Sequence, residues 1–401
     1  MKLSPADIQS EFNKEGGSRS PIQIEDIIIG ADAKEELFRF LQKKCWKHPA
    51  IVCDRNTDEA AGGMLADELK AGGIKAAKII IPEHESGTAA ADEKTLIYTL
   101  INIAEETDVI IAAGSGTIHD ITRFAACQRG LPFISFPTAP SVDGFTSAGA
   151  PLILNGIKTT IQTKAPIALF ADTNLLKEAP RAMTAAGFGD MLGKITSLAD
   201  WEISRKLADE PYSEAGAKLV KDALWQCIDH RADIAMGTEA GIRILMEALI
   251  VSGLVMLALD HSRPASGGEH HISHWIEMEL LKTKQPPILH GAKVGCACAV
   301  LSDIYKDLAC HEKLAELPPD FREAVQSAYE GLPDGKTIAG WLTSAGGPAS
   351  FDEIGVKQDL VSDALKHAHT LRDRYTGLTI INENAALFAH HSPHGLKRKG
   401  Q

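Results

Sequence analysis

The chain has 401 residues, 44% of them hydrophobic and 23% charged, with a formal net charge of -12. Ordinary globular composition at this length points to about two domains, each with enough apolar material for a core. The acidic balance excludes a nucleic-acid binder acting through its overall field, and leaves phosphate recognition to backbone N–H groups or a few local cations.

Residues 1–25 are polar and mixed in charge, with no secretory signal. Beyond them, residues 49–54 (PAIVCD) read as a buried strand ending in Asp54. Residues 57–73 read as a helix capped by Thr57 or Asp58 and closed by Gly72 and Gly73. Residues 76–82 form a strand, 91–106 a helix and 108–113 a third strand, after which GSGTIHD opens another helix; 131–136 form a fourth strand. Such alternation predicts an α/β unit, a parallel sheet with helices on both faces. A polar loop follows, then short strands at 151–154 and 157–162 joined at Asn155-Gly156, and another strand at 167–171.

From about residue 179 the period becomes helical, with helices expected over 193–207, 214–231, 239–260, 269–282, 292–309 and 319–330. The expected division is an α/β domain over 1–178 and an all-α domain over 179–401. The most apolar stretch, 244–259, is shorter than the ~20 residues that span a bilayer and contains Glu247, so it reads as a core helix. Seven scattered cysteines argue for a reducing compartment, and Cys296 and Cys298 read as buried thiols. Together these imply a soluble cytoplasmic protein without membrane insertion. The tail 390–401, with His390, His391 and His394, reads as mobile and at most an adventitious metal binder.

Four stretches carry chemistry. Gly114 to Asp120 follows a strand and opens a helix, where glycines let an anion approach free N–H groups. Asp54, at a strand end, is placed either to accept from an adenine-ribose hydroxyl or to precede a helix beside Asn56 and Thr57; the first use leans toward NAD. The loop 137–147 (PTAPSVDGFTS) sits at the carboxyl end of a strand, and its Asp143 can grip hydroxyls. Lys158 and Lys164 downstream are phosphate candidates, as is Arg263. Strongest is the set Asp190, His270, His274 and His290. His270 and His274 share a helix face, and a helical hairpin returns His290 to the same point. Asp190 lies in GFGD, read as the glycine-rich start of a helix. One carboxylate and two imidazoles leave positions open on a divalent ion. His271 points to another face.

GSGTIHD, PTAPSVDGFTS, GFGD, SGGEHHISH and HGAK, in that order over about residues 50–300, resemble the sn-glycerol-1-phosphate dehydrogenases, and their bacterial branch in particular. These belong to the superfamily of iron-containing alcohol dehydrogenases and dehydroquinate synthases. The resemblance implies a Rossmann-like nucleotide-binding domain over 1–178, a helical metal-binding and substrate domain over 179–401, an active site between the two, a homodimer, and reversible reduction of dihydroxyacetone phosphate by NAD(H) or NADP(H) with one divalent metal, nickel or zinc. It implies metal ligands at Asp190, His270 and His290, and catalytic and substrate contacts at Asp143, Asp190 and His274. It assigns the cofactor to Asp54, Gly114, Gly116, Thr117, Ile118, His119, Asp120, Thr138, Ala139, Pro140, Ser141 and Ser147. Rival readings are a dehydrogenase for glycerol or another simple alcohol, a lyase like dehydroquinate synthase, whose larger basic set is missing here, and a non-catalytic NAD-binding regulator.

Overall fold

In the computed structural model, which describes residues 4–15, 21–84 and 87–385, every strand among the described residues lies before Thr173. The strands are β1 (Asp26–Gly30), β2 (Pro49–Asp54), β3 (Ala77–Ile81), β4 (Val109–Gly114), β5 (Phe133–Pro137), β6 (Gly149–Leu154), β7 (Ile157–Gln162) and β8 (Ala168–Asp172). Six of them form a parallel sheet in the order β1-β8-β5-β4-β2-β3. Its near-continuous apolar strands are covered on both sides, as a parallel sheet requires. Ile51, Cys53, Ile111, Ala113, Ile134 and Phe136 meet Leu37, Phe40, Leu65 and Leu69 on one face. The alternate residues Ala50, Val52, Ile110, Ala112 and Phe133 meet Leu96, Ile121 and Ala125 on the other.

β6 and β7 form the expected antiparallel hairpin, with Asn155 (φ 52°) and Gly156 (φ 74°) both left-handed, the pair of conformations a two-residue turn needs. Three expectations need correcting. β1 and the helix Ala33–Lys43 stand outside the expected elements, because a five-residue strand after a polar stretch gives little periodic signal. The helix expected over 57–73 starts earlier and is broken: Asp54 caps a turn at Arg55–Thr57, a π-helical turn follows over Asp58–Gly62, and Gly63–Ala71 is regular. GFGD does not open a helix. It fills the last turns of Arg181–Leu192, and Gly193 alone separates that helix from Lys194–Ala208.

Close backbone contact explains glycines inside that helix. A Cβ on Gly187 would lie 1.9 Å from the Pro140 carbonyl oxygen, one on Gly189 2.3 Å from the Gly291 oxygen, and one on Gly291 1.7 Å from the Ala186 oxygen. Arg181–Leu192 therefore touches both the 137–147 loop and the start of His290–Ala309 backbone to backbone. The apolar stretch extends into a 21-residue helix, Glu239–Leu259, long enough by length and composition to cross a membrane. It is buried on two sides: Ile250 and Leu254 pack with Leu169 and Ala171 of β8, while Leu245 and Leu249 pack with Phe188, Met191 and Leu192. A helix apolar all round is a core helix when both sides are covered.

Further along, Gly335–Ser344, Gln358–His367 and Gly377–Glu383 continue the helical half. Asp200, buried in Lys194–Ala208, ties this half together. Its carboxylate accepts from Gly268 N (2.8 Å), Gly377 N (2.9 Å), Tyr305 Oη (3.1 Å) and Tyr329 Oη (2.8 Å). Burial still pushes its carboxyl up to about 7, with Glu269 adding to the rise. The histidines of the C-terminal tail lie outside the described residues.

Gly291→Ala is expected to destabilise, despite alanine's better helix propensity, because overpacking costs about 1–3 kcal/mol. Thermal unfolding should show a lower Tm, and an unchanged Tm would mean that the two helices do not touch at this point.

Candidate active site

The strand order reverses between β2 and β4, so a crevice opens outside their carboxyl ends, where open α/β sheets bind ligands. Asp54 ends β2. Its Oδ1 accepts from Thr57 N (2.8 Å) and Thr57 Oγ1 (2.9 Å), so the carboxylate serves as a helix cap at the crevice mouth. Gly114 ends β4 and Gly116 begins the helix Gly116–Arg129.

Within that helix start the residues face different ways. Thr117 is exposed, Ile118 is buried against Gly114, and Asp120 is partly buried. Burial pushes the Asp120 carboxyl up to about 7, against the pull of Arg123 and Lys158. His119 is turned inward. Its Nδ1 meets Ser115 O (2.9 Å), its Nε2 meets Ser135 Oγ (2.7 Å), and its backbone N–H bonds Ser115 O (3.1 Å), which leaves no polar hydrogen for a ligand. Burial holds this imidazole down at about 3.

The 137–147 loop links the helix start to the helical half. Thr138, Ala139 and Ser141 are buried, and Thr138 N bonds Gly114 O (3.1 Å). Ser141 Oγ lies 2.6 Å from Ser115 Oγ, Pro140 abuts Gly187, and Ser147 Oγ accepts from Gly149 N (2.9 Å). Asp143 N donates to Asp190 Oδ2 (3.1 Å), which joins the loop that follows β5 to the acid of the helical half.

Around Asp190 the expected set converges. One ligand atom each from Asp190, His270 and His290 lies within 4.8 Å of the others, and His270 Nε2 is 3.7 Å from Asp190 Oδ1. The helix Gly268–Lys282 carries His270 and His274, and His290–Ala309 begins with His290. Ring centroids are 5.0 Å apart for His270 and His290, and 5.9 Å for His274 and His290. The donor set fits a divalent ion. At metal–ligand bonds of about 2.0–2.2 Å, neighbouring ligands stand about 3–4 Å apart, so the His270–Asp190 pair at 3.7 Å already fits and a pair at the 4.8 Å limit closes by about 1–2 Å on binding. His270 is also oriented for coordination. Its Nδ1 lies 2.7 Å from Glu269 Oε1, so that nitrogen donates to the carboxylate and Nε2 keeps its lone pair for the ion. Burial is the main cause that keeps His270 and His274 well below the usual imidazole range and His290 at about 3. Neutral imidazoles are the ligand form.

Several residues here escape sequence reasoning. Lys194, fully buried (0% exposed), bonds Asp190 Oδ1 (3.0 Å), Asp143 Oδ2 (2.8 Å) and Ala265 O (3.1 Å). Burial works against its charge, but the two carboxylates outweigh it and hold the ammonium above its ordinary value. Ser252 Oγ also donates to Asp143 Oδ2 (2.8 Å). Glu269 is fixed by Thr196 Oγ1 (2.7 Å) and Gly267 N (2.6 Å). Arg372 lies 3.0 Å from His274 Nδ1. A guanidinium has only donors, so Nδ1 accepts and the proton of the neutral ring sits on Nε2. The signal available for Lys194 is its place four residues after Asp190 in an apolar run; Arg372 comes from a distant segment and has none.

Of the phosphate candidates, Lys158 reaches the helical half, bonding Glu277 Oε1 (2.7 Å), whereas Lys164 is exposed and Arg263 is paired with Glu210. His271 is buried on the far side of its helix, as expected.

The arrangement of a Rossmann-like sheet followed by a helical half is shared with solved dehydrogenase structures. Residues 28–180 match the family model described as iron-containing alcohol dehydrogenase. The fold is that of a glycerol dehydrogenase crystal structure from Schizosaccharomyces pombe, at TM-score 0.64 and 18% identity over 93% of this chain and 90% of that one. The chain is 91% identical over 391 residues (98% of this chain, 99% of the relative) to a glycerol-1-phosphate dehydrogenase [NAD(P)+] of Bacillus velezensis, and 64% identical over 390 residues (97% and 99%) to one of Bacillus subtilis. It belongs to the glycerol-1-phosphate dehydrogenase family.

Two measurements probe this geometry. Glu269→Gln should weaken metal binding about 10- to 100-fold in chelator competition, as loss of a ligand-orienting partner does; unchanged affinity would free His270 from Glu269. His119, depressed in the folded state, contributes stability above its unfolded value of about 6.5 that is lost progressively as pH falls toward 3. In urea unfolding, the stability gap between wild type and His119→Gln should therefore narrow between about pH 7.5 and about pH 5, and a constant gap would contradict the buried neutral ring.

Proposed function

We propose that this protein reversibly reduces dihydroxyacetone phosphate to sn-glycerol 1-phosphate, with NADH or NADPH as the hydride source and one divalent metal, nickel or zinc, held by Asp190, His270 and His290. The observation that carries the reading is the convergence of those three side chains, joined to the Gly116 helix start through the bond from Asp143 N to Asp190. The names of the Bacillus relatives supply the substrate and the cofactor. The chain divides near residue 178 into a nucleotide-binding part and a helical part, with the reaction between them. A cytoplasmic homodimer completes the reading; seven free cysteines agree with a reducing compartment.

When bound, the metal supplies Lewis acidity toward the substrate oxygen and the nicotinamide supplies the hydride. The chain's own residues do the rest. Thr117, with the N–H groups of the Gly116 helix start, holds the pyrophosphate, beside Gly114, Gly116 and Asp120. Thr138, Ala139, Pro140, Ser141 and Ser147 form a stiff wall on the nicotinamide side, and Asp54 offers a carboxylate to the adenine ribose. Lys194 holds Asp143 and Asp190 in fixed positions while partly neutralising them. Asp143 orients the substrate's hydroxyl groups. His274, with Nδ1 occupied by Arg372, presents Nε2–H to the reacting region and can pass that proton.

The test is NADH oxidation on dihydroxyacetone phosphate, with metals returned one at a time to stripped protein, the product's chirality determined, and turnover of glycerol 1-phosphate compared with glycerol. His290→Ala should lose metal occupancy and turnover together, with NADH affinity little changed. Full activity of the stripped protein would remove the metal from the reaction, and preference for glycerol would remove the phosphate.

A further inference from the structure

Close to the His274 and His290 rings lies a group of charges of which the proposed reaction uses only Arg372. Glu277 follows His274 by three residues on Gly268–Lys282, and Lys293 follows His290 by three on His290–Ala309, so each lies one turn along its helix on the histidine's side. Lys293, only 1% exposed, bonds Glu277 Oε2 at 3.1 Å. The other oxygen of Glu277 accepts from Lys158 (2.7 Å), which comes from β7, across from the helical half. Two ammonium groups thus share one carboxylate, and Arg372 stands on His274 with no acid of its own among its hydrogen bonds. In a chain of net charge -12, the three cations Lys158, Lys293 and Arg372 outnumber the acids they face here, Glu277 and the Asp120 carboxyl, which lies within reach of Lys158 and Glu277.

The two lysines are not equivalent. Lys293 is enclosed, whereas the Lys158 side chain keeps 18% exposure. An ammonium has three donors, and Lys158 spends one on Glu277. Glu277 therefore acts as a tether that aims Lys158, and Lys293 offsets the tether's charge. Desolvation alone would raise the Glu277 carboxyl, but the two lysines outweigh it and hold it well below the usual carboxylate range, so the tether stays ionised.

We propose that Lys158 is the residue that recognises the substrate's phosphate group, with Glu277 and Lys293 as the positioning pair that holds it at the cleft. The proposal rests on the function assigned above. It makes phosphate selectivity a property of a lysine on the β6–β7 hairpin, which reaches the helical half only when hairpin and helices are docked.

Lys158→Met and Lys158→Arg, in the full metal-loaded protein, test it. Losing a charge-assisted hydrogen bond should raise KM for dihydroxyacetone phosphate about 10- to 100-fold, more than it changes kcat. The ratio of kcat/KM for dihydroxyacetone phosphate to that for dihydroxyacetone should fall with it. Lys158→Arg should recover part of the loss, which a purely structural role would not predict. Inorganic phosphate, titrated calorimetrically, should bind wild type and bind Lys158→Met much more weakly. Equal phosphate binding by both proteins, or an unchanged substrate ratio, overturns the proposal. If wild type fails to turn over dihydroxyacetone phosphate, the functional reading falls, and the inorganic phosphate titration still decides whether Lys158 holds an anion.

Discussion

Two helices touching backbone to backbone set the geometry on which the rest depends. Arg181–Leu192 supplies Asp190 and His290–Ala309 supplies His290, and both cross at glycines with no room for a single Cβ. Ordinary helix pairs stand about 8–10 Å apart because side chains fill the gap between them. Bare backbone removes that spacer, so an acid on one helix and an imidazole on the other come within reach of one small ion. The same helix meets the 137–147 loop through Gly187. One element thereby fixes the acid against both the histidines and the 137–147 loop.

Electrostatics then keeps this crowded centre in one arrangement. Asp143 and Asp190 are near neighbours, and a pair of carboxylates out of water repels strongly unless a cation stands between them. Lys194 is that cation, enclosed and bonded to both. The imidazoles remain neutral because burial disfavours their charge, so they add lone pairs without adding positive charge. Glu269 and Arg372 each fix one ring nitrogen, on His270 and His274 respectively, and so decide which nitrogen faces the reacting region. Geometry comes from glycine, charge balance from lysine, and ring orientation from Glu269 and Arg372.

Much of this was legible in the chain. Apolar strands alternating with capped helices gave the parallel sheet, and the Asn155-Gly156 turn gave the hairpin, because these signals are local. The spacing of His270 and His274 gave a shared face for the same reason. What was hidden depends on packing between distant segments. GFGD looked like a helix start, since glycine is a poor helix residue in water. Only the facing backbone of Pro140 and Gly291 explains glycines within Arg181–Leu192. His119 looked like part of an anion-binding turn, yet Ser135 and Ser115 draw its ring into the interior. Lys194, Glu277 and Lys293 drew no reading of their own from the sequence, because the partners that place them come from other elements.

The four donors on Asp200 link places far apart in the chain: the first N–H of the helix that carries His270, the hydroxyls of Tyr305 and Tyr329, and the N–H of Gly377. A nascent polypeptide that has not yet reached Gly377 lacks one of these bonds, and one that has not reached Arg372 lacks the partner that orients His274. Assembly of the reaction centre is therefore among the last events of synthesis. A truncated copy retains all six strands of the parallel sheet, but its histidine helix is left without its full set of anchors.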